Sequence, residues 1–367
     1  MRDAFKPFIG DLGPQTSSGL LPTNVKAIHY EVELEPDLAN GTLTGTSVVT
    51  LFVLEPTLII LLNCLEIEVI STEIIEQSGN VIKIPKVHYD VERETISILL
   101  RAAIAAGQTI NVKQSFKGQM NHAITMAGFN RSQYRGFDGK EKWMGSTMNQ
   151  PTGCRQIFPC IDEPAAKATF SFTLNVDKDL TCLGNMDVKS ETVIQSSALT
   201  SPKKKVIFNR TPPMSSYLVA FVVGELNCIE STEYRVPIKI YAAPDQDIGK
   251  SHQALEFGVQ AMIHLEQVFG TPYPLPKLDL ISVPGHGGAM ENWGCVIYDD
   301  KILLRDESNA SAQDNYQTAY TVTHELAHQW FGNIVTNAWW DSLWLNEVSL
   351  NSHIHMPTSS VSVHQLK

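Results

Sequence analysis

The sequence predicts a β-rich chain in two parts, an all-β domain over residues 18–226 followed by a mixed α/β domain over 227–347. Three observations lead there. Short segments in which apolar and polar residues alternate crowd the first 226 positions, and alternation marks strands buried on one face. Near Leu255 the apolar spacing changes to that of a helix. A length of 367 residues accommodates two or three domains.

Residues 1–17 read as a lead-in without the long apolar stretch of a secretory signal. From Tyr30, the apolar Tyr30, Val32 and Leu34 alternate with Glu31, Glu33 and Glu35. The period returns over Leu43–Leu54 and in TLIILL, TISILL, ATFSFTLNV and KVIF. SYLVAFVVGEL, ending at Leu226, is almost continuously apolar and reads as a strand buried on both faces. In the second part, Leu255, Val259, Met262, Leu265 and Phe269 form one helical stripe that Gly270, Pro272 and Pro274 end. A second helix starts at Ser311 and Asp314, a capping-box pair, with Gly332 as its expected C-terminal cap. Residues 348–367 are polar, Ser- and His-rich, and read as an irregular tail in which His353, His355 and His364 are not a metal site.

The formal net charge of −11 excludes a nucleic-acid partner, which needs a basic face. No apolar run is long enough for a membrane span. The six cysteines are scattered without a C-x-x-C pair, so they read as reduced thiols of a cytoplasmic protein.

His324-Glu325-Leu326-Ala327-His328 is an H-E-x-x-H motif. On a helix, positions i and i+4 share a face, so both imidazoles can reach one Zn2+ and Glu325 can act as base on the water it activates. Such a short pattern recurs by chance in about one chain in twenty of this length, so further residues must support it. Catalytic zinc takes three protein ligands. Glu347 is the candidate third, separated from His328 by 18 residues. The approach to it carries Trp339, Trp340 and Trp344, which are expected to bury the segment against the helix and make an unpaired carboxylate costly. Upstream, Gly287-Gly288-Ala289-Met290-Glu291-Asn292 combines glycines, which let backbones approach closely, with a carboxylate able to bind a cationic amine. Taken by itself, that stretch would read as a glycine-rich turn with a solvated Glu.

Together these elements resemble the zinc aminopeptidases of the alanyl, glutamyl and puromycin-sensitive type. G-A-M-E-N at Gly288–Asn292, upstream of H-E-x-x-H and its distant Glu, is specific to that family. LPTNVKAIHYEVELEPDL, CRQIFPCIDEPAAKATFSF and SSYLVAFVVGEL match its N-terminal landmarks, and the likeness runs from residue 18 to Glu347. The resemblance implies a saddle-like β domain followed by a thermolysin-like catalytic domain. It implies one Zn2+ per chain on His324, His328 and Glu347, with Glu325 as catalytic base. It also implies a substrate site of Gly288, Ala289, Met290, Glu291 and Asn292, with Gln150 as a second amine contact where many members have Glu. A neutral amide accepts a hydrogen bond without the charge-assisted part.

The sequence departs from the family after Glu347, where Val348-Ser349-Leu350 stand in place of Gly-Phe-Ala, and no tyrosine follows Tyr320. The catalytic domain is therefore expected to be truncated, lacking the family's oxyanion-stabilising tyrosine. The expected function is release of single N-terminal residues from peptides with a free N-terminus by metal-activated water. The alternative is a zinc- and peptide-binding remnant that catalyses little. An endopeptidase is disfavoured because Glu291 would obstruct a chain continuing past the N-terminus.

Overall fold

A computed structural model describes residues 19–122, 127–194, 202–306 and 309–347. The lead-in 1–17 and the tail 348–367, with His353, His355 and His364, lie outside them. Among the described residues the strands form four sheets. The largest has eight strands, with Val25–Asp37 central between Thr42–Val53, antiparallel to it, and Thr169–Asp177, parallel to it. The alternation seen in the sequence is the pleat of that strand: Tyr30, Val32 and Leu34 are buried, and Glu31 and Glu35 are exposed. Their apolar face joins an aromatic core. Tyr30 stacks on Phe170 with centroids 4.9 Å apart, and Phe172 meets Phe221 edge-on at 4.6 Å.

SYLVAFVVGEL is only partly the strand expected. Ser216–Leu218 form a 3-10 turn, and the strand is confined to Phe221–Gly224, between Thr181–Gly184 and Glu141–Met148. All its strand residues are buried. The turn frees Tyr217 from the sheet pattern and directs its side chain toward the second half of the chain.

There the architecture becomes α/β. Ile238–Ala242, Leu278–Val283 and Cys295–Asp299 run parallel, and the short strand Ala289–Met290 pairs antiparallel with Cys295–Asp299 and forms the edge of the sheet. Helix α1 (His252–Phe269) buries Leu255, Val259, Met262 and Leu265, and Gly270 closes it with φ 61°. The short α2 (Asp300–Leu303) leads to α3 (Ala312–Ala327). Ser311 and Asp314 form the reciprocal capping box, which satisfies two of the otherwise unpaired amides at the start of α3. Gly332 is not its cap. The helix ends at Ala327, with His328 at the C-cap still in helical geometry, and Gly332 follows in a separate turn at φ 117°. No described helix is long and apolar enough to cross a membrane.

The two halves are joined by buried polar contacts as well as apolar ones. Lys277 Nζ donates to Gly184 O at 2.5 Å, Gly294 O at 2.6 Å and the Asp279 carboxylate at 2.7 Å. Burial raises the Asp279 carboxyl, and the Lys277 charge opposes that rise. Removing one partner of a buried pair strands the other charge in a low-dielectric interior. Lys277→Met is expected to destabilise the fold by about 3–5 kcal/mol, read as a lower urea midpoint at unchanged slope.

Candidate metal centre

The site begins with α3. Its last turn carries His324 and Glu325, and His328 caps it, so the i, i+4 geometry sets both imidazoles on one face. Their Nε2 atoms lie 3.0 Å apart and the rings meet at 90°. His328 is 2% exposed. Its Nδ1 lies 3.0 Å from the Phe331 carbonyl oxygen, which can only accept, so Nδ1 carries a proton. A neutral His328 then presents its lone pair on Nε2, toward His324. The Glu347 Oε2 lies 3.3 Å from His324 Nε2 and 3.6 Å from His328 Nε2. The donor atoms of all three residues fall within 4.8 Å of one another. Two imidazole lone pairs cannot face each other at hydrogen-bond distance without a proton or a cation between them. This donor set, two nitrogens and one carboxylate oxygen, fits a divalent metal.

Glu347 reaches this point on a helical turn that starts at Trp344. The burial expected of its surroundings is not what the structure has. Trp344 is 59% exposed, Trp339 and Trp340 are half-buried, and the Glu347 side chain is 41% exposed. The buried member is Asn346, whose Nδ2 donates to Asn337 Oδ1 at 3.1 Å. Glu347 is held by its partners rather than by enclosure. Hydrogen bonds from His324 and His328 keep its carboxyl well below the usual range.

A second cluster adjoins the first, since carboxylate oxygens of Glu291 and Glu325 lie within 4.8 Å of each other and of a His328 nitrogen. Burial pushes the Glu325 carboxyl up to about 8; the His328 charge opposes this, and Glu291 and Glu347 add to it. Burial pulls His328 down, but the charge of Glu291, the hydrogen bond with Glu347 and the charge of Glu325 outweigh it and hold the imidazole at about 9. Glu291 is 4% exposed, and its Oε1 has no hydrogen-bond partner among the described residues.

Glu291 is brought here by a clamp that the sequence did not reveal. Gln329 Nε2 and Asn333 Nδ2 both donate to the Glu291 backbone carbonyl, at 3.1 and 2.9 Å, and Gln329 Oε1 accepts from Gly294 N at 3.1 Å. Both side chains are fully buried. Their only sequence signal is that two amides follow the motif within an otherwise apolar stretch. Gly288, at φ 132°, lets the chain swing into the strand Ala289–Met290. Among the described residues, both side-chain polar atoms of the buried Asn292 and the buried Gln150 Nε2 have no partner. All six cysteines are free, and five are buried.

Comparison with known proteins adds an independent finding. The family model of the peptidase M1 N-terminal domain matches residues 26–218, and that of the peptidase family M1 domain matches residues 253–358. Aminopeptidase 2 of Candida albicans is 42% identical over 329 residues, covering 89% of this chain and 34% of the relative. The alanine/arginine aminopeptidase of Saccharomyces cerevisiae is 38% identical over 335 residues, covering 90% and 38%. The puromycin-sensitive aminopeptidase of Caenorhabditis elegans is 39% identical over 332 residues, covering 89% and 34%. The chain thus spans about a third of the length of these relatives.

Three carboxylates converge on two imidazoles, so a cation that binds the folded site stabilises it. At a free concentration 100 times its Kd the gain is about 2.7 kcal/mol. Thermal melting is therefore expected to rise when a divalent transition metal is added, and to fall back with chelator. His328→Ala is expected to lose that response.

Proposed function

This chain belongs to peptidase family M1, and on that premise we propose that it forms the zinc-dependent aminopeptidase centre that releases single N-terminal residues from peptides. The observation that carries the reading is the pairing of two clusters. A metal donor set on His324, His328 and Glu347 adjoins a buried, unpaired carboxylate oxygen on Glu291. An anion at a fixed distance from the metal ligands is what an enzyme needs to measure one residue from a free α-amine. The three relatives above, each named an aminopeptidase, support the same reading.

His324, His328 and Glu347 would hold the zinc, which when bound supplies Lewis-acid polarisation and acidified water. The remaining work falls to the chain's own side chains. Glu325, raised by burial, is suited to take a proton at its carboxylate and pass it to the departing amine nitrogen. Glu291 receives the substrate α-ammonium on Oε1, an atom otherwise left without a partner. Gln150 supplies the second amine contact through its amide oxygen, weaker than a carboxylate because the hydrogen bond is not doubly charged. Ala289 and Met290 form the short strand at the edge of the parallel sheet, where an extended peptide can lie alongside backbone. Gly288 and Asn292 flank it as further substrate contacts. The reduced cysteines fit a cytoplasmic setting.

Glu325→Gln keeps the shape of the site and removes the base. It is expected to retain metal and to lower kcat on aminoacyl reporter amides by about 100- to 10,000-fold; undiminished turnover would rule out Glu325 as base. Glu291→Ala is expected to raise KM for peptides with a free N-terminus and to leave N-acetylated peptides uncleaved. If the parent chain binds stoichiometric zinc yet turns over no reporter, the weaker reading holds, a metal- and peptide-binding unit that catalyses little.

A further inference from the structure

We propose that Tyr217 and Lys167, both from the β-sheet half of the chain, are positioning residues for the metal centre and set its affinity by holding the turn that follows His328. The inference rests on the zinc reading above and adds residues that the motifs do not contain.

Tyr217 is 1% exposed. Its hydroxyl donates to the Gly332 carbonyl at 2.8 Å, across 115 positions of sequence. The same oxygen accepts from Thr336 Oγ1 at 2.6 Å. Gly332 lies against the ligand ring, for a Cβ built on it would come 3.2 Å from His328 Nδ1. The carbonyl one residue earlier, Phe331 O, is the acceptor that fixes the His328 tautomer. Holding Gly332 O therefore restrains the neighbouring peptide that orients the imidazole. Lys167 Nζ grips the next two carbonyls of the turn, donating to Asn333 O at 3.0 Å and Ile334 O at 2.9 Å.

Tyr217 also reaches the segment that delivers the third ligand. Its ring meets Trp340 edge-on with centroids 5.1 Å apart. Trp340 lies in the same segment as Asn346, whose Nδ2 donates to Asn337 Oδ1 at 3.1 Å next to the third ligand. One side chain thus touches the turn after His328 and the segment that leads to Glu347. Partners of this kind orient metal ligands, and their loss typically weakens metal binding by about 10- to 100-fold.

The test is the zinc affinity of the purified chain, by competition with a chromophoric chelator, together with the visible absorption of the cobalt-substituted protein. Tyr217→Phe removes only the hydroxyl and keeps the ring on Trp340. It is expected to bind zinc about 10- to 100-fold more weakly and to shift the cobalt bands, and Lys167→Met is expected to act in the same direction. A Tyr217→Phe chain that matches the parent within twofold in affinity, even with lowered metal-free melting, overturns the proposal and leaves Tyr217 a packing residue. Should that variant not fold, Lys167→Met decides by the same readouts. A parent chain that binds no stoichiometric zinc overturns the metal-site reading itself, an outcome distinct from equal binding by parent and variant.

Discussion

Everything at this site follows from a convergence of negative charge in a place that water does not fully reach. Glu291, Glu325 and Glu347 surround His324 and His328, and only Glu347 among the carboxylates is well exposed. Two unit charges about 4 Å apart interact by about 4 kcal/mol at the effective dielectric near a protein surface. Such a cluster forms only if protons or a cation offset the repulsion. Without a cation, protons take that part. Glu325 is raised to about 8, and His328 is held at about 9 against the pull of burial. A divalent ion can replace those protons, which is why the donor set and the anionic surplus are parts of one arrangement rather than two sites.

Holding that cluster together is a matter of backbone as much as of side chains. The parallel strands fix the edge on which Ala289–Met290 pairs, and the Gln329 and Asn333 amides tie the Glu291 carbonyl to the end of α3. The motif helix therefore positions both imidazoles and, through the residues one and five places beyond His328, the Glu291 carboxylate. The capping box at the other end of α3 and the buried Lys277–Asp279 pair between the two halves give this assembly a stiff support. Rigid elements suit a site whose donors must stay within a few tenths of an ångström.

How much of this the sequence disclosed depended on the range of the interaction. The strand Val25–Asp37, helix α1 and the start of α3 were legible because period, glycine stop and capping box are local signals. His324 and His328 were legible for the same reason, since four residues on a helix is a geometric statement. Glu347 was found by the company it keeps. The burial expected around it fails on Trp344, because an aromatic-rich stretch says nothing about which ring faces inward. Gly332 was misjudged as a cap because a glycine after a helix marks a left-handed turn without saying how far the helix has already ended. Tyr217, Gln329 and Asn333 act across 38 to 115 positions of sequence, and no local pattern encodes a partner that distant.

With Gln150 as the proposed second amine contact, the charge argument extends to recognition. An amide offers a donor and an acceptor, whereas a carboxylate offers only acceptors. The Gln150 Nε2 is buried without a partner, and an ammonium, which only donates, cannot satisfy it. The amide oxygen can take the α-amine while the nitrogen awaits an acceptor such as the carbonyl of the same N-terminal residue. A glutamate there would bind the amine more tightly, but it has no donor to offer that carbonyl. On this reading the neutral residue gives up amine affinity for a two-point grip on the first residue of the substrate.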